Sequence, residues 1–396
     1  MDSDQQQRRF LLYFAYLVSQ FGNWAFRIGI LIGLLQSSKS AVGLGVAVIF
    51  APIILGSLFL SPLTDRADRL ALMIGIDLIR AAAMIPLFFV GQINTVVTYS
   101  VITILSLSQP VFMSAQVSYL RSVASSEDMV TVIRNLSNVD WITYVTGMAT
   151  GAFLIAHLSI KSILLLNAAT FIVSALLLGT MRKANAAVVG HVSHDTSQLE
   201  PSSAIRTLYG YFFSIFMLNL GAGIINVYPA IRSTTEQTIN QSTLSTIVIF
   251  NGIFGLMGAL LVKPIYQRLG SDRTMTLSAG VIALLLFLMA PNGSIALATV
   301  SSSLMLGMGQ IFAVSAQTHL ISSVGKERAG KLSGLFQCCT FGGIALNGVL
   351  FSVMSGSYKF IVIVSLCALC AFIAFLANIF ESMRQSIHPD YEQDRA

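Results

Sequence analysis

Charge is scarce in this chain. Only 10% of its 396 residues are Asp, Glu, Lys or Arg, while 55% are hydrophobic. A water-soluble domain carries roughly a quarter charged residues, so composition argues against one. Cysteine is scarce as well. Cys338, Cys339, Cys367 and Cys370 all fall in apolar stretches. The last two have C-x-x-C spacing without a second ligand pair, so packing explains them better than a metal or redox site. No Walker loop, nucleotide-binding fingerprint or catalytic triad is present. That argues against an ATP-driven pump or an enzyme, and no cofactor or resident metal is expected. His191, His194 and Asp195 stand close together in a polar stretch, but that setting makes a poor metal site. Sustained period-two alternation is also lacking, which removes a membrane β-barrel.

What remains is long apolar runs. A helix crossing a hydrocarbon core of about 30 Å needs roughly 20 mostly apolar residues. Such windows lie at approximately 9–35, 41–61, 72–91, 94–120, 133–156, 160–181, 205–230, 241–262, 274–291, 294–320, 332–354 and 358–381. The fold expected is all-α and integral to the membrane, with 12 transmembrane helices, since only helices and closed barrels satisfy the backbone in lipid. The first window reads as a retained helix: its apolar stretch is long, Arg27 interrupts it, and no small-residue cleavage site follows.

Lysine and arginine set the orientation. With the N-terminus inside, the inner connections carry Arg8, Arg9, Arg66, Arg69, Arg121, Arg134, Lys263, Arg268, Lys331 and Arg384, among others. The outer connections carry only Lys39, Lys161, Arg232 and Lys359. Both termini are therefore expected on the cytoplasmic side of an inner, plasma-type membrane. The net charge of +6 is this topological bias and implies no nucleic-acid partner.

The longest polar connection, 182–204, sits near the middle and leaves six helices on each side. "QPVFMSAQVSYLRSV" from Gln109 aligns with "QIFAVSAQTHLISSV" from Gln310, sharing both glutamines and the Ser-Ala before the second. "SPLTDRADRL" aligns with "KPIYQRLGSD", matching Pro62 to Pro264 and Arg66 to Arg268. The expected organisation is an N-terminal six-helix bundle (1–181), a cytoplasmic linker (182–204) and a C-terminal six-helix bundle with a short tail (205–396). Two six-helix halves related by an axis along the membrane normal is a known transporter architecture.

The stretch 61–73, "SPLTDRADRLALM", places Asp65, Arg66, Asp68 and Arg69 between the second and third windows. Here the sequence resembles the major facilitator superfamily, whose signature in this loop is roughly G-x-L-a-D-r-x-G-r-r. Serine and aspartate replace its two glycines. The D-R-x-D-R form, followed by "IDLIRA" with Asp77 and Arg80, is similar to the branch exporting macrolides, siderophores and other metabolites. "FGNWAFRIGI" and "LLLNAATFIVSALLL" resemble the same branch. The resemblance implies secondary active export of a small organic molecule by alternating access, coupled to proton antiport. An importer of the same fold, or a non-transporting sensor or assembly partner, stays open. It also implies that the loop latches the two halves together; alternatively the loop is only a topology signal. Nothing in the sequence demands more than a monomer.

Ionisable residues within the bilayer are functional candidates by default. Arg27 lies in window one and suits an anionic substrate group or a gating partner, or else snorkels outward. Asp140 in window five suits a proton carrier, or else locks its helix to a basic neighbour such as Arg80. Asp77 and Arg80 are one helical turn apart and can pair. The exporter branch commonly carries acids where this chain has Asn23 and Asn167, which removes two candidate proton carriers. Gln109 with Gln116, and Gln310 with Gln317, are seven residues apart and share a helix face. Helices four and ten line the cavity in the superfamily, so these four, with Asn23, Trp24, Asn219 and Asn226, are candidate substrate contacts. Gly147 and Gly151 have the small-xxx-small spacing that lets helices approach closely.

Overall fold

The computed structural model describes residues 3–37, 39–60, 67–90, 95–123, 129–185, 208–228, 241–289, 295–322, 329–355 and 357–387. Within these residues it is wholly helical, with twelve long helices. They are α1 (Ser3–Ser37), α2 (Lys39–Leu55), α3 (Arg69–Val90), α4 (Thr95–Val123), α5 (Met129–His157) and α6 (Ile160–Asn185). There follow α7 (Tyr209–Ala222), α8 (Gln241–Leu269), α9 (Ser271–Met289), α10 (Ile295–Ser322), α11 (Ala329–Met354) and α12 (Phe360–Ile387). A π turn, Gly56–Leu60, extends α2, and a 3-10 turn, Gly223–Asn226, extends α7.

Among the described residues, eleven of the helices hold a span long and apolar enough to cross a membrane. The described part of α5 is the more polar for Asn135, Asn138 and Asp140. Large apolar side chains such as Phe59, Phe89, Leu176, Leu260, Val353 and Phe380 are exposed on the outer helix faces. A chain in water would bury such groups; facing lipid they need no cover. The protein is a multi-pass membrane protein of the expected fold class.

The chain forms two compact units. One comprises residues 1–197 and 229–252, the other 198–228 and 253–396. In the first, α1 packs on α5 and α6, and α3 packs on α4 and α6. In the second, α7 packs on α11 and α12, and α9 packs on α10 and α12. The packing of α1 on α5 and α6, and of α3 on α4 and α6, is thus repeated in α7 on α11 and α12, and in α9 on α10 and α12.

Close helix approaches repeat too. A Cβ at Gly56 would run into the Leu107 carbonyl oxygen of α4, and one at Gly258 would run into the Gly307 carbonyl oxygen of α10. On α5, a Cβ at Gly147 would lie 2.6 Å from the Phe21 oxygen of α1; on α11, one at Gly343 would lie 2.6 Å from the Phe216 oxygen of α7. Glycine at these positions brings backbones together where apolar attraction between helices is weak.

Local signals set the helix ends. Asp68 precedes α3 and its Oδ1 accepts the backbone N–H groups of Leu70 (3.0 Å) and Ala71 (3.3 Å). It is therefore the N-cap of α3. Gly270 has φ of 78° and its N–H donates to the Tyr266 carbonyl at 2.9 Å, ending α8 in the left-handed conformation that glycine tolerates best.

Candidate functional site

The first unit holds two sets of ionisable side chains between its helices. The inner set is sealed. Asp77 and Arg80 of α3 are 0% and 1% exposed and pair at 3.4 Å. Arg80 is saturated with partners. Its Nε donates to Ser108 Oγ at 2.8 Å and its Nη2 to Gln109 Oε1 at 3.0 Å. Its guanidinium also sits 5.2 Å from the Phe112 ring and 5.6 Å from the Phe171 ring. Ser19 of α1 reaches Asp77 Oδ1 at 3.5 Å. One buried ion pair so ties α1, α3, α4 and α6. The expected pairing of Asp77 with Arg80 is present, and Gln109, expected as a substrate contact, is engaged by Arg80.

The second set is less fully sealed. Asp140 of α5 and Arg27 of α1 are both only half-buried. Asp140 does not lock α5 to Arg80; its Oδ1 accepts the Tyr16 hydroxyl of α1 at 2.6 Å. Arg27 lies over the Trp24 ring, 4.7 Å from its centroid. Trp24 meets Tyr144 edge-on at 4.8 Å, and Tyr144 meets Trp141 at 5.6 Å. Asp140, Trp141 and Tyr144 lie within about one helical turn of one another. Arg27 and Asp140 feel each other's charge, yet they are not in ion-pair contact. A narrow crevice beside Arg27 is lined by Asn23, Ile30, Ile49, Leu105 and Ser106, among others.

Two features position this set. Gly147 and Gly151 let α5 ride close on α1: a Cβ at Gly147 would stand 2.8 Å from Trp24 Cβ, and one at Gly151 would strike the Ala25 carbonyl oxygen. Asn23 and Asn167 are buried, at 5% and 0% exposure, and Asn167 Nδ2 approaches Met84 Sδ at 3.9 Å. Asn23 is on the crevice; Asn167 is in the packing between α6 and α3.

In the second unit, Asn219 donates to the Ile215 carbonyl at 2.8 Å and lines a narrow crevice with Phe312, Phe336 and Thr340. Asn226 donates to the Gly223 carbonyl at 3.1 Å within its own turn. Gln116 is buried on α4, while Gln310 and Gln317 are half-buried on α10. A further polar cluster joins three helix ends. Tyr211 of α7 donates to Asp272 Oδ1 at 3.0 Å, and His319 of α10 lies 3.0 Å from Ser271 Oγ and 3.8 Å from Asp272. Glu381 of α12, buried and 3.6 Å from Arg384, belongs to the same region through Gly210, where a Cβ would meet its carboxylate. The sequence reading missed this cluster, although the intramembrane-charge rule that singled out Arg27 applies equally to His319 and Glu381.

Of the loop motif, Asp68 and Arg69 are placed at the start of α3. Asp65 and Arg66 lie outside the described residues, as do His191, His194, Asp195 and most of the 182–204 linker.

Comparison with known proteins matches this arrangement at the level of family and fold. No curated protein matches the sequence significantly. Among solved structures, the nucleoside transporter NupG superposes with a TM-score of 0.69 at 17% identity, over 94% of this chain and 98% of that one. An auto-inhibited POT family peptide transporter gives 0.76 at 11% identity, over 96% and 97%. A bacterial homologue of the iron transporter ferroportin in the inward-facing state gives 0.69 at 16%, over 96% and 100%. At such identities the likeness establishes the fold and not the cargo. The family model of the Major Facilitator Superfamily matches residues 12–348, so the chain belongs to that superfamily of membrane transporters.

Proposed function

We propose that this protein exports a small organic molecule (a drug, siderophore or other metabolite) by alternating access, in exchange for protons. The observation that carries the reading is Asp140. It is a carboxylate within a long helix of the first unit, held by a phenol at 2.6 Å and only half-buried. A carboxyl group in such a setting can be occupied by a proton or left charged, and each form interacts differently with Tyr16 and Arg27. That difference is what a coupling site requires. Export rests on the resemblance of the Asp65–Arg69 loop and of the first and sixth helices to the exporter branch. The same resemblance supports the loop as a latch, with Asp68 capping α3 and Arg69 beginning it. The lysine and arginine bias supports a plasma-type membrane with both termini cytoplasmic, and the protein acts as a monomer.

Reconstitution in liposomes containing a pH-sensitive dye tests this. Under an imposed proton gradient, a panel of macrolides, siderophores and lipophilic cations is added to wild type and to Asp140→Asn. Substrate-dependent proton flux in wild type, lost in the variant, is the expected result. Substrate movement without proton flux would remove proton coupling, and flux that survives in Asp140→Asn would remove Asp140 as its site.

A further inference from the structure

The first unit contains two pairs of opposite charges, and they are built differently. Asp77 and Arg80 are sealed, 0% and 1% exposed, and neutralise one another in direct contact. Arg27 and Asp140 are each half-buried and within reach of each other's field. Among the described residues, neither has an ion-pair partner. Each is instead held by an aromatic residue of α1: Arg27 by the Trp24 face at 4.7 Å, Asp140 by the Tyr16 hydroxyl. Between them stand Trp24, Tyr144 and Trp141 in edge-to-face contact, and the buried Trp24 indole N–H has no hydrogen-bond acceptor among the described residues.

Charges out of water favour partners. A cation and an anion kept apart on neighbouring helices, with aromatic surface between them, fit a molecule carrying the complementary charges. We propose that Arg27 and Asp140 form a binding site for a zwitterionic organic solute with an aromatic or apolar body. Its carboxylate meets Arg27, its ammonium meets Asp140, and its body lies on the Trp24–Tyr144–Trp141 cluster. The narrow crevice lined by Asn23, Arg27 and Ser106 marks the anionic end of the site. This rests on the transport reading above and deepens it. An ammonium on Asp140 excludes a proton there, so solute and proton occupy the site in turn, which is the condition for exchange.

The chain has two tryptophans, Trp24 and Trp141, and both are in this cluster, so their fluorescence reports occupancy directly. The test titrates the full-length protein in detergent with four probes that share one body. They are phenylalanine, phenylalaninamide, N-acetylphenylalanine and N-acetylphenylalaninamide: zwitterion, cation, anion and neutral. Wild type is expected to bind phenylalanine at least about tenfold more tightly than any of the other three, the size of one good charged contact. Arg27→Gln is expected to lose the preference of phenylalanine over phenylalaninamide while still binding both, which shows that the variant is folded. Asp140→Asn is expected to lose the preference over N-acetylphenylalanine in the same way. Equal binding of the four probes, binding of none at millimolar concentration, or an unchanged preference in Arg27→Gln would overturn the site. Liposome flux of the same probes separates the two readings. A zwitterion preference without flux supports the site and removes transport, whereas flux without the preference removes the site and keeps transport.

Discussion

At the scale of single residues, the sealed Asp77–Arg80 pair makes a prediction for stability. Removing one member of a buried pair leaves the other uncompensated and typically costs about 3–5 kcal/mol, while replacing both by apolar residues is often nearly neutral. Arg80→Leu should therefore lower the thermal unfolding temperature of the purified protein sharply. The Asp77→Leu/Arg80→Leu double variant should recover most of that loss. A double variant less stable than either single would mean that Ser108, Gln109 and the two phenylalanine rings, rather than Asp77, are what Arg80 stabilises. Residue identity in the sequence was enough to single out all four residues, because charge stands out in a chain this apolar. It was not enough to say which aspartate each arginine serves. Asp140 is 60 residues from Arg80 but its partner is Tyr16, a residue that carries no charge and so does not stand out in the same way.

At the scale of helices, the twelve windows in the sequence correspond to twelve helices because length and apolar content decide insertion. Their ends depend on smaller signals. The α3 start is an aspartate cap, which the sequence offers plainly, while the break of α7 into a 3-10 turn at Gly223–Asn226 has no proline to announce it. The α1–α5 contact shows what glycine spacing means energetically. Gly151→Ala places a methyl group against the Ala25 carbonyl oxygen, and forcing helices apart in a packed interface costs about 1–3 kcal/mol. A methyl group at Gly75 of α3 would meet nothing within 4 Å, so Gly75→Ala should be neutral or stabilise by up to about 1 kcal/mol through helix propensity. Unfolding midpoints measured side by side in one detergent check both, and equal effects at the two positions would sink the close-approach argument. His319 alone was open to the intramembrane-charge rule, but its grouping with Asp272 and Tyr211 was not legible, because the three come from different helices and no local pattern links them.

At the scale of the whole molecule, the repeat that two short sequence matches suggested is present as a repeated packing scheme, α1–α5–α6 answering to α7–α11–α12. The topology proposed from lysine and arginine has a direct check. In a background without the four native cysteines, a membrane-impermeant maleimide added to intact cells should label Lys39→Cys and leave Ala67→Cys unlabelled. The reverse pattern would invert the protein in its membrane. The polarity of α5 has a consequence for how the protein is made. A segment bearing Asp140 is one that a translocon, weighing each emerging helix against lipid at up to roughly 2.5–3.5 kcal/mol for a charge at its centre, disfavours. By the time α5 leaves the ribosome, α1 is already in place, offering Tyr16 to Asp140 and a backbone that Gly147 and Gly151 are shaped to meet. The order in which the chain is written thus puts the first helix ahead of the fifth, whose buried polarity it accommodates.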